Sequence, residues 1–549
     1  MTHNNVFKGS DAVAQFFNPD NNPPMPLVEL PDVLNPFRRD GVRIYAKMLT
    51  MLPAQNVKSL PALNMLLDKA PGAATQSIVE ASSGSTVLSL GIISNVLWGN
   101  DDVTAYVTNK KHKDSLKLLR FFGLKVSLYG GLAQQEPTDP KGIMERLRQL
   151  AKEDDSICYP GQYDNENNWR AHERWTGPQI LQQLPEVNVF CTTVGTGGCI
   201  TGTGAYLKAE KPSVKVLGIF NVFGDPTPGP RHLHGFKTCG FPWKQTVDTY
   251  REVTSAASYR MSMRLSRQGL IAGPSSGEAL QGLLDYLGDL KATDKLSELA
   301  DATTGEISCV FTCSDLPYQY LDGYFTKLSE EEFPPILNDV LLSCDQERHD
   351  ERWILDAKHA LRVIAGEELL SSSPDSTSEN PVKAANVWCS RCRMPSTANS
   401  STSLRQSIKR IFCRGGTGEA ADVRRSPYKQ CGHMSNNSAP MILDLRRTGS
   451  YTDGHARGSY SLPLPELETG GDLFGNAQAV HQAWTSVRAA LEQPGVGDLL
   501  GQGQIKHNKE VLVLCEDGDV SRLATAMLRS RGVAASSVEG GFSGLKAAV

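Results

Sequence analysis

Over residues 1–335, apolar and polar positions alternate in the rhythm of short buried strands separated by helices. "VNVFCTTV" (187–194) is an apolar run of strand length. "CITGTGAYLKAEK" then reads as a helix that stops at Pro212, and "VKVLGIF" from Val214 predicts the next strand. In "NVKSLPALNMLL" the leucines 60, 63, 66 and 67 fall on one helical face. This alternation predicts an α/β domain with a mostly parallel sheet. From 336 to 438 the texture becomes that of a linker with a helical start. "CDQERHDERWILDAKHALRVIAGEELL" gives way to "SSSPDSTSENP" and "MPSTANSSTSLRQS", too polar to build a core. From 439 to 549 the pattern is again that of a folded domain, with a strand at Val511–Leu514 followed by a short loop and an apolar helix.

Length and composition narrow the picture. A chain of 549 residues is too long for one core, in keeping with this division. It is 40% hydrophobic and 21% charged with a net charge of −4, and no basic stripe with interleaved aromatics suggests a nucleic-acid partner. No apolar run approaches the roughly 20 residues of a membrane span. The N-terminal stretch lacks the layout of a secretory signal. Twelve cysteines in such a chain argue for thiols or a metal site rather than a disulfide framework. A cytoplasmic protein is expected.

Several stretches carry candidate chemistry. The loop Gly195, Thr196, Gly197, Gly198, Cys199 joins a strand to a helix, where backbone N–H groups converge and a phosphate is the natural guest. Both common nucleotide fingerprints fail, since Ile200 stands where the third glycine of G-x-G-x-x-G belongs and Thr203 where a P-loop has lysine. A small phosphate-bearing cofactor or a plain tight turn remains. Lys58 opens a helix, where a cation is electrostatically unfavourable; it is either solvated or kept as a reactive amine. Ser82, Ser83, Gly84, Ser85 and Thr86 open another helix and either cap it or receive a carboxylate. Ser275 begins a third, a common capping arrangement. Cys515 ends a strand before a six-residue loop and a helix. There it is either a buried core thiol or one whose pKa is lowered by backbone N–H groups. "WCSRC" and "CGH" offer Cys389, Cys392, Cys431 and His433 as weak zinc-type ligands, with free thiols in a linker as the simpler reading.

Taken together, several stretches resemble the fold-type II, pyridoxal-phosphate-dependent family of cysteine synthases and cystathionine β-synthases. "MPLVEL" at Met25 opens the likeness. "NVKS" matches the Schiff-base lysine stretch, "SSGST" the substrate-carboxylate loop, and "GQYDNENNWRAHERWTGPQI" the stretch that bears the active-site glutamine, Gln162. "GTGGC" matches the cofactor's phosphate cup and "PSSG" the serine at its ring nitrogen; "PGPRHLHGFKTCGFPW" is similar to a further glycine-bearing loop. The resemblance implies two α/β subdomains with mostly parallel sheets, pyridoxal 5'-phosphate held at Lys58, Ser85, Gly195–Cys199 and Ser275, and an amino acid at Ser82, Ser83, Gly84, Thr86 and Gln162. It also implies a homodimer. The chain departs from the family at Ser59-Leu60, Ser85 and Cys199.

The last segment resembles a rhodanese. "LDLRRTGSYTDGHARGSYSLPLP" carries the family's D-x-R, Y, G-H and P positions through Asp444, Arg446, Tyr451, His455 and Pro463, and "VEGGFSGL" is similar to its closing motif. The likeness implies an α/β domain with a persulfide on Cys515. Arginine is missing six residues after the cysteine, where Ser521 stands, and this favours a sulfur-sized adduct over phosphate. The joint expectation is an enzyme. It performs β-elimination or β-replacement on a cysteine-, O-acetylserine- or serine-type amino acid through an aminoacrylate, coupled to a sulfur donor or acceptor through Cys515. The alternatives are a non-catalytic module that keeps the cofactor fold, and a serine/threonine dehydratase.

Overall fold

β7, Val187–Thr193, the strand expected before the glycine loop, lies inside a six-stranded sheet of order β1-β2-β10-β7-β8-β9. Its partners are β1 (Leu27–Glu29), β2 (Val42–Met48), β8 (Lys215–Asn221), β9 (Thr249–Val253) and β10 (Ile307–Cys313). Only the β1–β2 pair is antiparallel. A second sheet, all parallel, has the order β5-β4-β3-β6: Lys125–Tyr129, Val103–Thr108, Ser77–Ala81 and Ile157–Cys158. The computed structural model describes residues 6–111, 113–132, 135–236, 240–365, 440–465, 472–500 and 510–549. These fall into two units, Met1–Pro334 and Pro335–Val549.

The two sheets of the first unit are the two expected α/β subdomains. Because parallel strands are covered on both faces, β7 and β10 are buried almost throughout. One core packs Ile44, Val189, Leu217 and Phe311 against the helices Ser255–Arg267 and Pro274–Ala292. The other joins both sheets, with Phe190, Ile200 and Val216 from one side meeting Ile78, Ala105, Leu63, Val87 and Leu90 from the other. Leu60, Leu63 and Leu66 of the predicted apolar face are buried on the helix Ser59–Lys69, while Leu67 is exposed.

The second unit is a five-stranded parallel sheet of order β11-β15-β14-β12-β13: Ile354–Leu355, Ala535–Val538, Val511–Leu514, Met441–Asp444 and Tyr460–Ser461. The charged stretch before the serine-rich segment supplies β11 and the helix Ala357–Ala365. Ala360 and Val363 of that helix share a core with Phe542 and Leu545. Asp444 and Arg446 form a buried ion pair at 2.7 Å, with the guanidinium 3.2 Å from the centre of the Phe542 ring. Cys389, Cys392, Cys431 and His433 lie outside the described residues. Among the described residues no helix is long and apolar enough to cross a membrane, and no group of three or more metal-type side chains occurs.

Candidate active site

The sequence-nominated residues of the first unit line one cavity of about 260 Å³: Lys58, the stretch 82–86, Gln162, Gly195, Thr196, Cys199 and Ser275. Gly197 and Gly198 belong to the same loop. The lysine's place is set locally. Asn56 Oδ1 accepts from the Lys58 N–H at 2.9 Å, an Asx turn that starts the helix Ser59–Lys69. Burial lowers the ammonium pKa, opposed by Cys199 and Asp315. The end of β10 then ties two parts together. Val57 N–H donates to Ser314 O and Gly273 N–H to Asp315 O, both at 2.7 Å, so the turn bearing Lys58 and the helix bearing Ser275 are held by neighbouring peptides.

Sequence reasoning missed Asp315. It lines the cavity, 8% exposed, and burial pushes its pKa up to about 6. Oδ2 accepts from Tyr320 Oη at 2.6 Å, while Oδ1 has no hydrogen-bond partner. Its signal was position: a carboxylate at the carboxyl end of a buried parallel strand, where ligand sites of open α/β sheets gather. Glu80 was also missed, although a charge inside the apolar strand "SIVEA" is conspicuous. Fully buried, it accepts from the N–H groups of Ala81, Gly161 and Gln162 at 3.0, 3.0 and 3.3 Å. Desolvation lifts its pKa to about 7 against those three donors.

The glycine loop differs from expectation in why it is glycine. Gly197 sits at φ +87°, a left-handed conformation that favours glycine. At Gly195 a Cβ would come 2.9 Å from Gly229 O, and at Gly198 it would overlap Asn168 Oδ1. Protein neighbours, not only a ligand, demand the small residues. The amides of the helix Gly198–Glu210 still open at the cavity, its first turn lacking intrahelical acceptors. Both polar atoms of the Gln162 amide are engaged, Oε1 by Thr86 Oγ1 at 2.7 Å and Nε2 by Ala81 O at 3.0 Å. Its side chain thus shapes the stretch 82–86. Ser275 is 5% exposed, and its hydroxyl makes no hydrogen bond among the described residues. Gly229, at φ +102°, lies beside it.

In the second unit, Cys515 closes β14 at 5% exposure. The N–H groups of Gly518 and Ser521 donate to Sγ at 3.1 and 3.3 Å, and Sγ lies 3.5 Å from Asp517 Oδ1. Of the two readings of this thiol, the buried one describes its acidity. Desolvation and the Asp517 charge outweigh the donors and push it up to about 11. The glycines of "VEGG" pack on this loop, since a Cβ on Gly541 would come 2.6 Å from Cys515 O.

These two sites are of recognisable kinds, and comparison with known proteins agrees. The chain belongs to the family of pyridoxal-phosphate dependent enzymes, whose family model matches residues 20–297. It also contains a rhodanese-like domain, matched over residues 428–548. It is 28% identical over 282 residues to a cysteine synthase of Staphylococcus aureus, covering 48% of this chain and 86% of that protein. It is 29% identical over 300 residues to a probable cysteine synthase of Bacillus subtilis (51% and 92%). An N-(2-amino-2-carboxyethyl)-L-glutamate synthase of Cupriavidus metallidurans is 29% identical over 279 residues (48% and 78%). The cofactor of the family is pyridoxal phosphate, and the residues present fit it: an amine of lowered pKa, a helix N-terminus and an unengaged buried hydroxyl share one cavity.

Proposed function

We propose that the first unit performs β-replacement or β-elimination on a cysteine-, O-acetylserine- or serine-type amino acid. In this reading Cys515 of the second unit takes the outer sulfur of a persulfide donor, whose thiol leaves, and a further thiol reduces it to sulfide for that reaction, ending as a disulfide. The carrying observation is the convergence of Lys58, the stretch 82–86, the glycine loop and Ser275 on one cavity. When bound there, pyridoxal phosphate supplies the electron sink for bond breaking at the amino acid's α- and β-carbons.

The chain's own residues do the rest. The loop Gly195–Cys199 and the helix behind it receive the phosphate through backbone N–H groups and the positive helix end. Ser82, Ser83, Gly84 and Thr86, at the start of the helix Ser85–Trp98, receive the amino-acid carboxylate in the same way. Ser85 supports the cofactor's edge. Lys58 tethers the cofactor. Its depressed pKa gives it a neutral fraction that takes the proton from the α-carbon and returns it. Above about pH 6 Asp315 is ionised and meets the charge that then appears on Lys58. Ser275 gives the ring nitrogen a hydroxyl rather than a carboxylate, which weakens the sink and favours loss of a β-leaving group.

At Cys515 the outer sulfur's charge is met by the N–H groups of Gly518 and Ser521. Exposed Glu516 and Asp517 repel small anions, which favours transfer of the outer sulfur of a persulfide, RSSH, whose thiol RSH then leaves, over thiosulfate. Free thiols at all seven described cysteines suit the cytoplasm. Two relatives named as cysteine synthases support β-replacement, and the third, named for another synthase, leaves the nucleophile open. The test is a visible spectrum of the purified protein titrated with cysteine, O-acetylserine and serine, beside Lys58→Ala. A cofactor band that shifts with one of them and is lost in the variant is expected. A band indifferent to all three would make the unit a binding module. Ammonia and oxo acid from serine, unchanged in Cys515→Ser, would make it a dehydratase.

A further inference from the structure

Hydrogen bonds around the cavity form a route that passes through both the side chain and the main-chain carbonyl of Gln162. Thr86 Oγ1 donates to Gln162 Oε1 at 2.7 Å. Asn168 Nδ2 donates both to Gln162 O at 2.6 Å and to Thr196 Oγ1 at 3.1 Å. Gly198 N–H donates to that same hydroxyl at 3.3 Å. One end of the route is the loop assigned above to the amino acid's carboxylate; the other is the loop assigned to the cofactor's phosphate.

Asn168 makes the crossing, and the packing around it leaves little freedom. It is 1% exposed, on the short helix Asn167–Ala171. That helix lies so close to the helix Gly198–Glu210 that a Cβ on Gly202 would overlap Trp169 O, and one on Gly198 would overlap Asn168 Oδ1. Asn168 Oδ1 is buried without a hydrogen-bond partner, a cost to stability that native structures seldom carry. The only hydrogen bonds that orient the amide among the described residues are therefore its two donated ones. At the far end Glu80 grips the N–H groups of both Ala81 and Gln162, so Gln162 cannot shift without moving the start of the amino-acid loop.

We infer that Asn168 is a positioning residue that couples the two ligand sites. Through the Thr86–Gln162–Asn168–Thr196 hydrogen bonds, occupation of the amino-acid loop holds the glycine loop in its phosphate-binding form, and the cofactor holds the amino-acid loop in return. The coupling is reciprocal by thermodynamic necessity. It rests on the proposed function for the assignment of the two loops, not for turnover.

The test measures the dissociation constant of pyridoxal phosphate from full-length protein, by titrating the apoprotein and following the cofactor's absorbance. Thr86→Val removes the hydroxyl at the amino-acid end and leaves the glycine loop as it is. It is expected to weaken cofactor binding roughly fivefold, the worth of one hydrogen bond. In an Asn168→Asp background, which keeps the shape but replaces the donor by an acceptor, Thr86→Val should change nothing further. Cofactor binding by T86V as tight as in the unsubstituted protein would overturn the inference, as would the same fold-loss with and without N168D. The first of these is decisive even if N168D fails to fold. Because no turnover is read, a protein that binds cofactor and amino acid without turning the amino acid over would refute the proposed function and leave this result to stand or fall alone.

Discussion

Asp517→Asn tests the electrostatics of the sulfur site. The carboxylate oxygen lies 3.5 Å from Cys515 Sγ. Coulomb's law at that distance gives about 1.2 kcal/mol in water and roughly 5 kcal/mol at an effective dielectric constant of 20. Asp517 is exposed, so screening puts the value near the lower figure, a little under one pH unit. Asparagine keeps an acceptor oxygen beside the thiol and removes only the charge. The thiol, near 11 in the unsubstituted protein, should then titrate near 10. Alkylation by iodoacetamide at pH 8–9 should run close to tenfold faster, because only the thiolate reacts. With twelve cysteines in the chain, the rate must be followed on the Cys515 peptide by mass spectrometry across a pH series. A Cys515 that titrates at or below 9 before substitution would refute the claim that desolvation dominates. An unchanged profile in the variant would refute the charge argument.

Three further outcomes follow from buried groups. Glu80 is raised from 4.5 to about 7, so the native state holds a proton that the unfolded chain has released between those values. Stability should fall by up to ~3.4 kcal/mol over the whole window, about 2.5 kcal/mol of it between pH 5 and 8, and chemical unfolding at those two pH values should show a fall smaller by that ~2.5 kcal/mol in Glu80→Gln. Lys47 is fully buried, donates to Met25 O, Gln179 and Gln183, and is lowered from 10.5 to about 7. Here the unfolded chain holds the extra proton, so stability should rise from pH 7 to 10.5 by up to ~5 kcal/mol, and Lys47→Met should flatten that rise. Arg446→Met leaves Asp444 as an unpaired charge in the core, and a loss of about 3–5 kcal/mol in the second unit is expected from chemical denaturation.

Much of this protein is legible in one dimension because its signals are local. A parallel strand buried on both faces reads as a near-continuous apolar run, and so β7, β8 and β14 stand out. A loop that turns from strand to helix at a left-handed residue needs glycine, and so Gly197 stands out. What is not legible depends on residues far apart in the chain. Asp315 gains its meaning only when β10 sets it beside the turn of Lys58, more than 250 positions away. Gly198 looks like a concession to a phosphate until Asn168 is found against it. Cys515 shows the same limit in its energetics. The loop of N–H donors can be read from "CEDGDVS", but the depth of burial, which decides the sign of the pKa shift, belongs to the packed β14 and the glycines of residues 540–541 that close over it.

The sequence by itself determined which chemistry is on offer: an amine, two loops of backbone donors, a serine and a thiol, each at the end of a strand or the start of a helix. Spacing within a few residues governs those features, and no long-range contact can alter it. Only the tertiary structure decided that the first four share a cavity, that Asn168 and Glu80 tie its halves together, and that the thiol rests protonated. Those outcomes depend on burial and on distances between segments, and the chain acquires both only when the sheets close on their cores.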